Sequence, residues 1–161
     1  MDKEEAQKYL QECAKQRPNW NIEYPKGFDY KKENADFLKF VKQLELLIKE
    51  QVRYDSGSSI QDASFHSEAF LPDKCLVLPD KRDKDGYKRG AGISFSNFGR
   101  LVTIYEEENI KPEVLKTILE LLASSEYVYI PRRFLDEEYP VLSSRGKEMK
   151  QKWGDLFFNY S

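Results

Sequence analysis

Residues 90–131 constrain this chain more than any other stretch, because they allow one reading: strand, turn, strand, helix, strand. Ile93-Ser94-Phe95 and Leu101-Val102-Thr103-Ile104-Tyr105 are β-branched and aromatic runs in which apolar and polar residues alternate. Ser96-Asn97-Phe98-Gly99 between them supplies turn residues, so the pair is a hairpin spanning about 92–105. After the acidic break Glu106-Glu107-Glu108, Pro112 stands where a first helical residue belongs, since the N–H it lacks would be unpaired there in any case. Val114, Ile118, Leu121 and Leu122 then keep the rhythm of one buried face, which predicts a helix over 112–124. A strand follows at 127–131, closed by Pro131.

Outside this stretch, helix formers around Ala6, Leu10 and Cys13 predict a helix at 4–16 that stops before Pro18. The segment 18–34, with Trp20, Ile22, Tyr24 and Phe28 set among breakers, is expected to lie extended over the domain. Asn34 can cap a long helix at 35–54, with Phe37, Phe40, Val41, Leu44 and Val52 on its apolar stripe. Residues 60–71 fit a short helix or an irregular excursion, and residues 75–78 a short strand before Pro79. The charged segment 80–90 reads as a mobile loop. Residues 132–140 suit a helical turn or ordered loop, and residues 143–152 a polar helix or link. The apolar tail around Trp153, Leu156, Phe157 and Phe158 is expected to form a C-terminal strand or dock on the core. The expectation is a single α+β domain over 1–161 with a mostly antiparallel sheet.

Charge and composition narrow the function classes. Against 26 basic residues stand 28 acidic ones, a net charge of −2, so no one-signed field would attract nucleic acid or an anionic membrane. No apolar run approaches the roughly 20 residues of a membrane span, and Met1-Asp2-Lys3-Glu4-Glu5 is too charged for a signal peptide. A cytoplasmic location is the expectation, with Cys13 and Cys75 as reduced thiols. Neither cysteine has the CxxC partner or basic setting of a nucleophile. His66 is the only histidine, which removes histidine-pair metal sites, and no nucleophile elbow accompanies it. Asp80 to Gly86 imitates a calcium loop, but Lys81 then falls at the first ligand position and Gly92 at the twelfth, so the count fails. Gly90-Ala91-Gly92 has no Lys-Ser/Thr after it and reads as a bulge or tight strand entry. No cofactor or metal site is therefore expected.

Two acidic clusters beside aromatic residues remain: Tyr105 with Glu106, Glu107 and Glu108, and Asp136, Glu137 and Glu138 with Tyr139. Solvated loop charges account for them in the ordinary way. They also suit a partner-binding rim, where carboxylates steer a basic partner and tyrosines supply contact area.

The run Tyr129-Ile130-Pro131-Arg132-Arg133-Phe134-Leu135-Asp136-Glu137-Glu138-Tyr139-Pro140, followed by Trp153-Gly154-Asp155-Leu156-Phe157-Phe158-Asn159-Tyr160, resembles the ending of small single-domain bacterial immunity proteins of polymorphic or contact-dependent toxin systems. The basic pair Arg132-Arg133 departs from the acidic character of that pattern, and no site residue transfers from it. The resemblance implies a cytosolic, non-catalytic inhibitor that covers the active surface of a cognate toxin domain. Two other classes stay open: an enzyme with an unrecognised carboxylate site, and a homodimeric structural or regulatory module that self-associates through a strand edge at 127–130 or 155–160.

Overall fold

The structure, a computed structural model, describes residues 2–16, 24–56, 64–78, 90–142 and 148–158, with backbone alone for 139–142 and 148–151. The expected loop at 80–90 lies outside the described residues except for Gly90. Among the described residues the helices are α1 (Lys3–Ala14), α2 (Tyr30–Ile48), α3 (Pro112–Ser124), α4 (Arg132–Leu135) and α5 (Trp153–Phe158). The strands are β1 (Arg53–Ser56), β2 (Phe65–Phe70), β3 (Gly92–Ser96), β4 (Leu101–Tyr105), β5 (Val128–Tyr129), β6 (Glu138–Leu142) and β7 (Glu148–Lys152).

The first five strands form one sheet in the order β1-β2-β3-β4-β5, antiparallel but for the parallel pair β4 and β5, which α3 connects. β6 and β7 pair separately. This is the expected α+β domain with a mostly antiparallel sheet. The hairpin and α3 stand where their periodicity places them, and Ile93 opposes Ile104 as Phe95 opposes Val102.

Elsewhere the chain departs from the sequence reading. α2 begins at Tyr30, inside the segment expected to be extended, because Asp29 rather than Asn34 is the cap: its carboxylate accepts from Lys32 N at 3.1 Å. It ends at Ile48, where Lys49 turns left-handed with φ 58°. Val52 N then donates to Glu45 Oε2 at 2.9 Å, which folds Val52 back into the core. Val52 therefore fits the helical stripe without belonging to the helix. Residues 60–71 contain an interior strand, β2, disguised by its buried polar residues His66 and Ser67. A β-bulge between Phe65 and Ser67 adds His66 to the helix-facing side. Residues 75–78 are no strand: a 3₁₀ turn at Asp73–Cys75 leads to an isolated bridge between Leu76 and Ile110. A strand occupies 148–152 instead of a helix or link. The C-terminal segment is helix α5, not a strand, since Trp153, Leu156 and Phe157 have i, i+3, i+4 spacing and Trp153 stacks on Phe157 with centroids 6.1 Å apart.

Both faces of the sheet are packed, each by a different set of helices. α2 and α3 cover one face, with Phe37, Phe40, Leu44, Ile118 and Leu122 against Ala69, Ile93, Phe95, Val102 and Ile104. α1, α4 and α5 cover one end of the other, where Leu10, Ile130, Leu135 and Phe157 meet Phe98 and Leu101. Arg100, at φ 55° in the hairpin turn, fastens the first layer to the sheet. Its guanidinium donates to Glu33 and Asp36, each at 3.1 Å, and to the carbonyls of Ser125 (2.8 Å) and Glu126 (3.1 Å) beyond the end of α3. It also lies 4.1 Å from the Tyr127 ring centroid.

Candidate functional site

Strand register arranges the second face of the sheet in cross-strand rows. Arg53, Phe70, Gly92 and Tyr105 stand in one row, and Asp55, Glu68, Ser94 and Thr103 in the next. The cover formed by α1, α4 and α5 sits over the far end, around Phe65, Leu101 and Val128. At the Arg53–Tyr105 row a cleft of about 730 Å³ opens, lined in part by Arg53, Phe70, Asp73, Tyr105, Glu106 and Arg132. Its size is that of a ligand or side-chain pocket.

Tyr105 reaches across β3. A Cβ added at Gly92 would collide with the phenol Oη and Cζ and stand 2.9 Å from the Ala69 carbonyl. Gly92 is therefore a seat for an aromatic ring at the entry to β3, and of the two readings, a bulge or a tight strand entry, the register shift belongs to β2. Burial pushes the Tyr105 phenol far above its ordinary range, with Glu68 and Asp55 adding to the shift and Arg53 opposing it. The Glu68 carboxyl is also raised, by burial first and by Asp55 second. Asp55 and Glu68 are direct cross-strand partners. Two like charges so placed repel, and the half-buried one yields by holding its proton more tightly. Arg53 lies 5.4 Å from the Phe70 ring centroid and leaves that carboxylate row with no ion pair among the described residues.

The eight residues expected to contact a partner divide three ways. Tyr105 and Glu106 come together at the cleft, where Glu106 takes a left-handed φ of 54° as the chain leaves β4. Glu107 instead accepts the Tyr129 hydroxyl, which together with burial raises the Tyr129 phenol. Glu137 turns to α1, accepting from Gln7 Nε2 at 2.6 Å and Lys3 Nζ at 3.0 Å. Both serve the fold. Glu108, Asp136 and Glu138 are exposed, and the Tyr139 side chain lies outside the described residues. Arg53, Asp55, Glu68, Phe70 and Arg132 are the cleft and rim residues that sequence reasoning missed. The alternation of Ser67 and Ala69 against Glu68 and Phe70 was the available signal.

His66 is buried among Phe28, Phe37 and Phe95, with Nδ1 2.8 Å from Ser67 Oγ. Burial, then the Arg100 charge, lowers its pKa to about 4, so it is neutral in the fold. Cys13 and Cys75 are free and buried, and burial raises the Cys13 thiol to about 12. Among the described residues no group of three or more His, Cys, Asp and Glu side chains is placed to hold a metal. No described helix is long and apolar enough to cross a membrane. No protein-family model, curated protein or solved structure matches the chain.

Proposed function

We propose that this chain is a non-enzymatic binding protein, an immunity protein that neutralises a cognate bacterial toxin by covering its active surface. One observation carries the reading: Tyr105 and Glu106 meet at the mouth of a cleft on an incompletely covered sheet face. An aromatic ring braced on the sheet supplies contact area at little entropic cost, and the adjacent carboxylate gives a basic partner its orientation. The resemblance at 129–140 and 153–160 adds the class of partner, a toxin domain acting in the cytoplasm.

The test is co-expression with the toxin domain that this reading requires, sought first among the genes adjacent to this chain's own. Wild type should rescue growth and co-purify with the toxin. Tyr105→Ala with Glu106→Lys should lose both while remaining cooperatively folded at the growth temperature. Rescue that survives the double change moves the interface off this cleft, and failure of wild type to rescue removes the immunity reading.

Asp55 and Glu68 favour a second reading, an enzyme with a carboxylate site. A half-buried acid with a raised pKa beside a second acid is the arrangement from which general acid and base can be drawn. Hydrolysis of an ester, glycoside or phosphoester panel that Glu68→Gln abolishes would support it. Turnover unaffected by that change would remove it.

A further inference from the structure

We infer that β1 is a self-association edge, through which two copies pair antiparallel about a two-fold axis at Tyr54 and join their sheets. Among the described residues β1 is an outer strand of the five-stranded sheet, paired with β2 alone. Arg53, Tyr54 and Asp55 are all exposed along it, Tyr54 by 43%. A strand edge of this kind offers unpaired N–H and C=O groups to another strand.

Charged edge strands ordinarily discourage pairing, and the sign pattern decides the matter here. In an antiparallel pair centred on Tyr54, residue 53 of each copy faces residue 55 of the other. Arg53 then opposes Asp55 twice by symmetry, whereas a parallel pair in the same register would set Arg53 on Arg53 and Asp55 on Asp55. The charge order of β1 is thus complementary to its own reversal. The pairing also answers the repulsion described above. Among the described residues Asp55 stands across from Glu68 without a cation of its own, and the second copy's guanidinium would arrive on the open side of Asp55 and extend that row to Arg53, Asp55, Glu68, Ser94 and Thr103. On the opposite face the two Tyr54 rings would meet beside Phe37, which each already touches edge-on at 5.7 Å.

Neither strand edge considered from sequence is this one. Residues 155–158 lie in helix α5, and the two-residue β5 carries no charge with which to fix a register.

Light scattering across a concentration series reaching about 1 mM tests the inference, since an edge as short as Arg53 to Asp55 gives an association in the weak range. Wild type should move from 19.0 kDa toward twice that mass. Arg53→Asp should weaken association by about ten-fold or more, and Arg53→Asp with Asp55→Arg should restore it, since the swap returns opposite charges to the same positions. Tyr54→Cys should form an intermolecular disulfide on mild oxidation faster than Leu46→Cys, a more exposed control on α2. A monomer throughout the series overturns the proposal. So does a dimer indifferent to the single reversal, a double swap that fails to restore association while retaining the native melt, or equal cross-linking at positions 54 and 46.

Discussion

The Tyr105 ring occupies the space over its cross-strand neighbour Gly92 that any larger residue's Cβ would take. Gly92→Ala must displace that ring or push against the Ala69 carbonyl, and should cost about 1–3 kcal/mol, the usual range for overpacking. With Tyr105→Ala in the background the cost should fall by about 1 kcal/mol, a coupling that a denaturant double-mutant cycle can read. Strict additivity would mean that the ring is not seated there.

Arg100 joins the hairpin turn to both helices of the first layer, and its four hydrogen bonds leave Glu33, Asp36 and two carbonyls dependent on it. Arg100→Ala should destabilise the fold by about 2–3 kcal/mol in urea titration, since a half-buried cation with planar, forked donors is lost. Arg100→Lys should recover only part of this, because an ammonium cannot span the same set of oxygens. Full rescue by lysine would show that charge alone matters.

His66 makes stability depend on pH. Its folded pKa of about 4 lies below its ordinary value of 6.5, so above pH 6.5 both states are neutral and the native state is at full advantage. As pH falls from 6.5 toward 4 the unfolded chain takes up a proton that the folded one refuses, and stability drops. The loss approaches on the order of 3 kcal/mol at the bottom of this window. Unfolding midpoints between pH 7.5 and 4.5 should show that decline, and His66→Gln should flatten it. In the Arg100→Ala background the His66 proton resonances should titrate higher than in wild type, though still below 6.5, because burial is the larger cause.

The two thiols should be silent in the folded protein. Cys13 and Cys75 are buried, both pKa values are raised, and the thiolate is the reactive form. Alkylation at neutral pH should therefore follow global unfolding, with both cysteines modified in denaturant and neither in buffer. Rapid native labelling of Cys13 would mean that α1 leaves the Phe98–Phe157 cluster easily.

What could be read from the sequence follows from where each residue's burial partner lies. The hairpin and α3 are legible because their apolar residues alternate or recur at one helical period, and Pro112 fixes the helix start. β2 is not, since its buried members include His66 and Ser67, satisfied by each other, while the large apolar Phe70 faces the cleft. α5 has a helical period, but a short run of adjacent aromatic residues also fits a strand, and only its packing against Leu10 and Phe98 decides. Tyr105 and Glu106 were found through their composition. The cleft around them was not, because it is assembled from β1, β2 and the start of α4, which strand register and tertiary packing bring together. Composition likewise cannot separate Glu106 from Glu107, whose carboxylate is committed to Tyr129.

Calorimetric titration into wild type, Tyr105→Ala and Glu106→Lys of the toxin domain that the co-expression test identifies checks the proposed interface most directly. The account predicts a one-to-one complex weakened about ten- to a hundred-fold by each change, or about 1.4–2.8 kcal/mol, with each variant still fully folded at the temperature of the titration. Affinity unchanged in both variants would contradict it.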